Sequence, residues 1–222
     1  MSHFYIAQNI LNTVPLDIGN ISQYYLGSVA PDAIHFRKNY ERNQKRISHL
    51  YINLEKGNIE YFTEKWKTNV INYFYENNSQ DNHDFLLGYC VHIMVDIYYY
   101  QNIWKPFVME YTGKPDIDFQ KIYTDENLKI DYEIFMENKY QDKLFPILIE
   151  ANTFDFGTNI LKTDLDGVKE NITNRQYKCE PIINIAENEF IDYEKIMLHN
   201  NKAIEYVKKE FIKICVKRQN CT

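Results

Sequence analysis

The sequence predicts an all-α protein, a multi-helix bundle formed as one domain over residues 1–222. Two patterns carry this reading: apolar residues recur at three- and four-residue spacing along most of the chain, and the alternation expected of strands is scarce. A third observation concerns supply. With 19 Tyr, 13 Phe and two Trp among 222 residues, the chain has aromatic surface enough to fill one sizeable core.

The elements follow in order. Ser2 is a candidate cap for a helix whose face is Ile6, Ala7, Ile10 and Leu11, and Pro15 stops it. A short helix over Ile21 to Leu26 ends at Gly27 and a Pro31-Asp32 loop. From Ala33 to Ser48 the chain is basic and polar, with Arg37, Lys38, Arg42, Lys45 and Arg46, and reads as a solvated loop. Ile59, Phe62, Trp66, Val70 and Tyr73 define a helix over Asn58 to Tyr75, which Asn77-Asn78-Ser79 ends. The strongest helix runs from Asp81 to beyond Ile103; it is apolar around most of its circumference and therefore central. Ile117 to Tyr140, Lys143 to Asn152 and Tyr193 to Val216 read as further amphipathic helices.

Composition excludes several classes. A formal charge of −6 provides no general basic field for a duplex nucleic acid or an anionic membrane. The seven glycines form neither a dinucleotide fingerprint nor a P-loop. The apolar run Phe85 to Tyr100 is broken by His92 and Asp96 and is too short for a transmembrane span. Met1 to Tyr5 has no basic segment or cleavage site of a signal peptide, so a cytoplasmic protein is expected. Cys90, Cys179, Cys215 and Cys221 lack metal-binding spacing and are expected as free thiols, Cys90 buried.

The chemistry concentrates early. Five of the six histidines, His3, His35, His49, His83 and His92, fall in the first 92 residues, with Asp32 and Asp96 among them. His92 and Asp96 are four apart on the central helix, so both can reach one metal ion. Such a pair can equally be a hydrogen-bonded couple in a core. The apolar surroundings separate the two readings, because a buried carboxylate and imidazole need a partner, and a divalent cation satisfies both. Gly88, one turn earlier, leaves room there for a neighbouring helix or further ligands.

Four segments resemble the bacterial zinc-dependent phospholipase C family, which is related in fold to the S1/P1-type zinc nucleases. They are Ser2-His3-Phe4-Tyr5-Ile6-Ala7, Gly27-Ser28-Val29-Ala30-Pro31-Asp32-Ala33, Ser48-His49, and Gly88-Tyr89-Cys90-Val91-His92-Ile93-Met94-Val95-Asp96. They agree with the family in order and approximate spacing over the first hundred residues, and nothing specific matches after Trp104. The resemblance implies zinc, one or two ions, with Asp32, His49, His92 and Asp96 around one and His3 on a neighbour bridged by Asp96. Such nitrogen and oxygen ligands without thiolate suit an open, catalytic zinc site. Asp32, on a loop, is the ligand best placed to double as the catalytic base. The well-known secreted members differ at three places: their later His is here Asn102, their downstream His-x-x-x-Glu would be His199 and Ala203, and their ligating N-terminal amine precedes the first His by about a dozen residues.

The expectation is therefore a zinc-dependent phosphoesterase-like hydrolase acting on a small-molecule or lipid phosphate ester. Three alternatives stand beside it: a non-catalytic helical protein with a structural zinc, a nuclease-type hydrolase, and an HD-type phosphohydrolase using His49, His83, Asp84 and a later Asp. His35 could add a ligand or touch a phosphate, although a surface loop position suffices for it; His199 reads as packing. Tyr98-Tyr99-Tyr100 and Trp104 could wall a choline-like cation or simply fill the core. Arg37, Lys38, Arg42 and Arg46 could hold a phosphate near Asp32 or form a solvated run. Asp164-Leu165-Asp166-Gly167 resembles the start of a calcium loop, but a turn leading into a helix explains it.

Overall fold

Gly27 and Gly88 set the central contact of the fold. Gly27 ends helix α2 (Ile21–Gly27) and Gly88 lies in helix α5 (His83–Tyr99). A Cβ on Gly88 would stand 2.0 Å from the Tyr24 carbonyl oxygen, and one on Gly27 would stand 2.0 Å from that of Phe85. The two backbones thus touch at a distance that no side chain permits. α5 is buried on nearly every side from Phe85 to Val95, as its all-round apolar sequence requires.

The computed structural model describes residues 1–52, 54, 58–112, 118–157, 159–178, 188 and 191–215. Around α5 pack α1 (Ser2–Thr13), α4 (Ile59–Asn77) and α11 (Tyr193–Val207). Each turns one apolar row inward: Phe4, Ile6, Ala7 and Ile10 from α1, Phe62, Trp66, Val70 and Phe74 from α4, Ile196, Ala203, Ile204 and Val207 from α11. Asn58 caps α4 by accepting from the Glu60 and Tyr61 amides. The remaining helices are α3 (Arg42–Ser48), α6 (Lys105–Tyr111), α7 (Phe119–Glu137), α8 (Tyr140–Lys143), α9 (Phe145–Glu150) and α10 (Lys162–Asn171). Among the described residues no strand forms; Phe156 and Ile160 make a single antiparallel bridge around Gly157, whose φ is +59°.

The all-α architecture is as the sequence predicts, with local corrections. Ser2 is not a cap but the first helical residue, and Met1 precedes it without a side-chain cap bond. The segment read as a solvated loop from Ala33 to Ser48 is largely helical: a 3-10 helix spans Ala30–Phe36 and α3 follows. Pro31 starts the first with a preset φ, buried Ala30, Ala33 and Ile34 hold it, and Glu41 with Gln44 forms a capping box for the second. The long central helix continues past Tyr99 as a π turn over Tyr100–Trp104 before α6. Cys90 is buried, as expected; Ile117, Cys179, Val216 and Cys221 lie outside the described residues.

Candidate metal centre

Each of the five candidate ligands is aimed by the element that carries it. Because Gly88 draws the end of α2 against α5, the Ser28 carbonyl lies 2.8 Å from His92 Nδ1, one turn further along α5. His49 follows α3 directly, with its Nδ1 3.0 Å from the Lys45 carbonyl and 2.9 Å from Ser48 Oγ. Two more contacts fix that corner: Trp66 Nε1 donates to the His49 carbonyl, and the Tyr89 hydroxyl donates to that of Ser48. Leu50 then turns the chain with a left-handed φ of 59°, a conformation that costs a non-glycine residue on the order of 1 kcal/mol and is held by its surroundings.

A carbonyl can only accept, so both rings carry a proton on Nδ1, and each ring in its neutral form presents a bare Nε2 lone pair. Both Nε2 atoms are buried and lack any hydrogen-bond partner. What faces them is carboxylate. His49 Nε2 stands 3.3 Å from Asp32 Oδ1 and 3.3 Å from Asp96 Oδ2, and His92 Nε2 stands 3.7 Å and 3.8 Å from Asp32 Oδ2 and Asp96 Oδ2. Neutral-ring lone pairs and anions converging on one point repel each other unless a cation sits between them, a metal ion or, at His49, a proton. The donor set therefore fits a divalent metal.

His3, from α1, reaches the other oxygen of Asp96, Nε2 to Oδ1 at 3.0 Å, and its ring stacks on His92 at 3.8 Å between centroids. The ligand atoms of His3, His92 and Asp96 all lie within 4.8 Å of one another, and so do those of Asp32, His49 and His92. Asp96 thus turns one oxygen toward each group.

Asp32 sits in the 3-10 helix, not on a loop, with its side chain 40 % exposed. Burial opposes its charge, but His35, His49, His92 and Lys45 around it hold the carboxyl well below the usual range. Burial likewise opposes charge on Asp96, and His92, His3 and His49 keep it low. Burial pushes the His92 imidazole down to about 3, helped by His3. For His49, burial also disfavours the charge, yet the two carboxylates outweigh it and raise its pKa.

Two hollows meet at the centre. An aromatic cleft of about 450 Å³ opens at His3 and Asp96 between Tyr51, Trp66, Tyr99, Tyr100 and Trp104. A smaller one of about 290 Å³ reaches His3, Asp32 and His92 past Phe36, Val168 and Tyr177. Tyr98 does not join the wall; it turns toward His199 and Tyr206.

The other sequence candidates fall elsewhere. His83 contacts Asn78, and Asp84 accepts from the Asn20 amide, so neither joins the centre. His35 stands 3.6 Å from Asp32. Arg37 pairs with buried Asp164, and Arg46 donates to the Leu54 carbonyl. Asp164 accepts from the Leu161 amide at the start of α10, the helix-leading role expected of it. The basic residue that does reach the centre is Lys45, whose Nζ is 3.3 Å from Asp32 Oδ1. Sequence reasoning missed it inside a basic run, although its position four residues before His49 gave a signal: one helical turn puts both on one face.

Fold and site together define an all-α protein with a histidine–carboxylate cluster able to hold a divalent metal. Residues 2–99 match the family model described as zinc dependent phospholipase C, and that segment contains His3, Asp32, His49, His92 and Asp96. Comparison with curated proteins and with solved structures finds no match.

Proposed function

We propose that the protein is a zinc-dependent, phospholipase C-like phosphoesterase in which His3, Asp32, His49, His92 and Asp96 hold one or two zinc ions. The observation that carries this reading is the pair of buried, unpartnered Nε2 atoms of His49 and His92, facing the Asp32 and Asp96 carboxylates. When bound, zinc lowers the pKa of water and draws charge from phosphate oxygens. The chain's own residues do the rest. The Ser28 and Lys45 carbonyls fix the two imidazoles in the ligating tautomer. Asp32, partly open to solvent, is the group to accept a proton from the attacking water. The aromatic walls exclude bulk water from the reacting phosphate, which belongs to a small-molecule or lipid ester.

A purely structural zinc would need a closed coordination sphere. Against that stand the exposure of Asp32 and the contact of His3 with the second Asp96 oxygen, beside an open cleft. The test is hydrolysis of bis(p-nitrophenyl) phosphate by the full chain. Turnover should vanish on chelation and return with zinc; zinc-loaded protein that never hydrolyses phosphodiesters would contradict the proposal.

A further inference from the structure

Lys45 serves the centre at both of its ends. Its carbonyl accepts from His49 Nδ1 at 3.0 Å, and its ammonium lies 3.3 Å from Asp32 Oδ1. Its side chain, 37 % exposed, is the one Lys or Arg among the described residues that line the aromatic cleft, and Lys105 and Arg46 lie behind its walls, each 5.9 Å from a ring centroid, of Tyr100 and Tyr51. The nearby arginines are committed elsewhere, Arg37 to Asp164 and Arg46 to the Leu54 carbonyl. Nothing in the ligand set requires a cation at this place.

We propose that Lys45 is an anion-holding residue of the cleft, its ammonium taking a phosphate oxygen of the bound ester. The proposal rests on the phosphoesterase reading. Without metal, Asp32 holds the Lys45 ammonium and Asp96 faces the cleft, while Asp131 is paired with the Met1 ammonium at 2.9 Å, so no free positive charge is offered to an anion. Divalent cations reverse that balance. Once Asp32 and Asp96 are engaged as ligands, the Lys45 ammonium is released from its competitor. A flexible four-carbon stem with three donors can then turn it into the cleft. Phosphate would be gripped between the metal side and Lys45, with Tyr51, Tyr100 and Trp104 flanking the ester substituent.

The experiment titrates inorganic phosphate into the zinc-loaded full chain by calorimetry, for wild type, Lys45→Met and Lys45→Arg, with zinc content measured on the same samples. Met keeps the carbonyl that orients His49, so zinc content should hold. Phosphate affinity should fall at least about tenfold in Lys45→Met and within roughly threefold in Lys45→Arg, as expected for loss or retention of a charge-assisted contact. Zinc-free wild type should not bind phosphate. Equal phosphate affinity in wild type and Lys45→Met at equal zinc would overturn the proposal, as would loss of zinc in Lys45→Met with the fold intact. Phosphodiester hydrolysis on the same samples separates this from its parent: Lys45-dependent phosphate binding without any turnover overturns the hydrolase reading alone, whereas turnover with unchanged phosphate affinity and kcat/KM in Lys45→Met overturns the Lys45 role alone.

Discussion

Asp96 and His49 show how a single side chain couples the whole centre. Asp96 offers one oxygen to His3 and the other to His49, whereas Asp32 meets His49, His92 and Lys45 without touching His3. Asp96→Asn should therefore lower zinc content further than His3→Ala does, read by elemental analysis; equal losses would contradict the bridging arrangement. Protons compete with the metal at His49. Its folded pKa is raised, so the metal-free protein gains stability from that proton below the unfolded value of about 6.5 and loses it as pH rises through the folded value. His92 works in the opposite sense: with a folded value of about 3, it stays neutral in the folded chain as pH falls, while the unfolded chain takes up a proton. Zinc affinity should accordingly weaken as pH is lowered from 8 to 6, with proton release on binding measurable by calorimetry in buffers of differing ionisation heat. Binding with no proton release would show that His49 is already neutral.

At the level of elements, the α2–α5 contact and the tie between the 3-10 helix and α10 position the ligands. Gly88→Ala forces a methyl into the Tyr24 carbonyl, 2.0 Å from the added Cβ, and should cost about 3 kcal/mol, the upper part of the usual overpacking range, in urea unfolding. It should also displace the Ser28 carbonyl from His92. Five residues beyond Asp32, Arg37 places its guanidinium Nε 3.2 Å from Asp164 Oδ1 and also donates to the Asn159 carbonyl at 2.9 Å. Asp164 is fully buried, so Asp164→Ala leaves a largely buried guanidinium without its anion and should destabilise by roughly 3–5 kcal/mol. A change below about 1 kcal/mol, the scale of a surface pair, would contradict that account.

These elements also mark what was legible in the sequence. α1, α4, α5 and α11 announce themselves because each has one continuous apolar row or, for α5, apolar residues all round. The stretch from Ala33 to Ser48 hides its helices, because they are short and their stability comes from tertiary contacts, such as Gly167 of α10 against Phe36, and not from periodicity. Lys45 was lost for a related reason: charge composition cannot say which member of a basic run faces inward.

Over the whole molecule, the matched segment of residues 2–99 supplies all five candidate ligands, and later residues shape what surrounds them. Trp104 and Tyr123 complete the aromatic cleft, while Val168, Ile172 and Tyr177 form the wall of the smaller hollow. No helix of the described residues is long and apolar enough to cross a membrane. Zinc binding should stabilise the fold as well as activate it, by about 4 kcal/mol at free zinc 1,000 times the dissociation constant. A melting temperature unmoved by zinc or by chelation would count against a site formed in the folded state.

The most direct test of the central claim is zinc per chain, measured by elemental analysis on the purified untagged protein and on His92→Ala. One or two zinc ions in the wild type, lost in a folded His92→Ala variant, is the predicted result. Wild-type protein devoid of zinc after exposure to it would contradict the account and leave His92 and Asp96 as a polar pair of the helix that carries them.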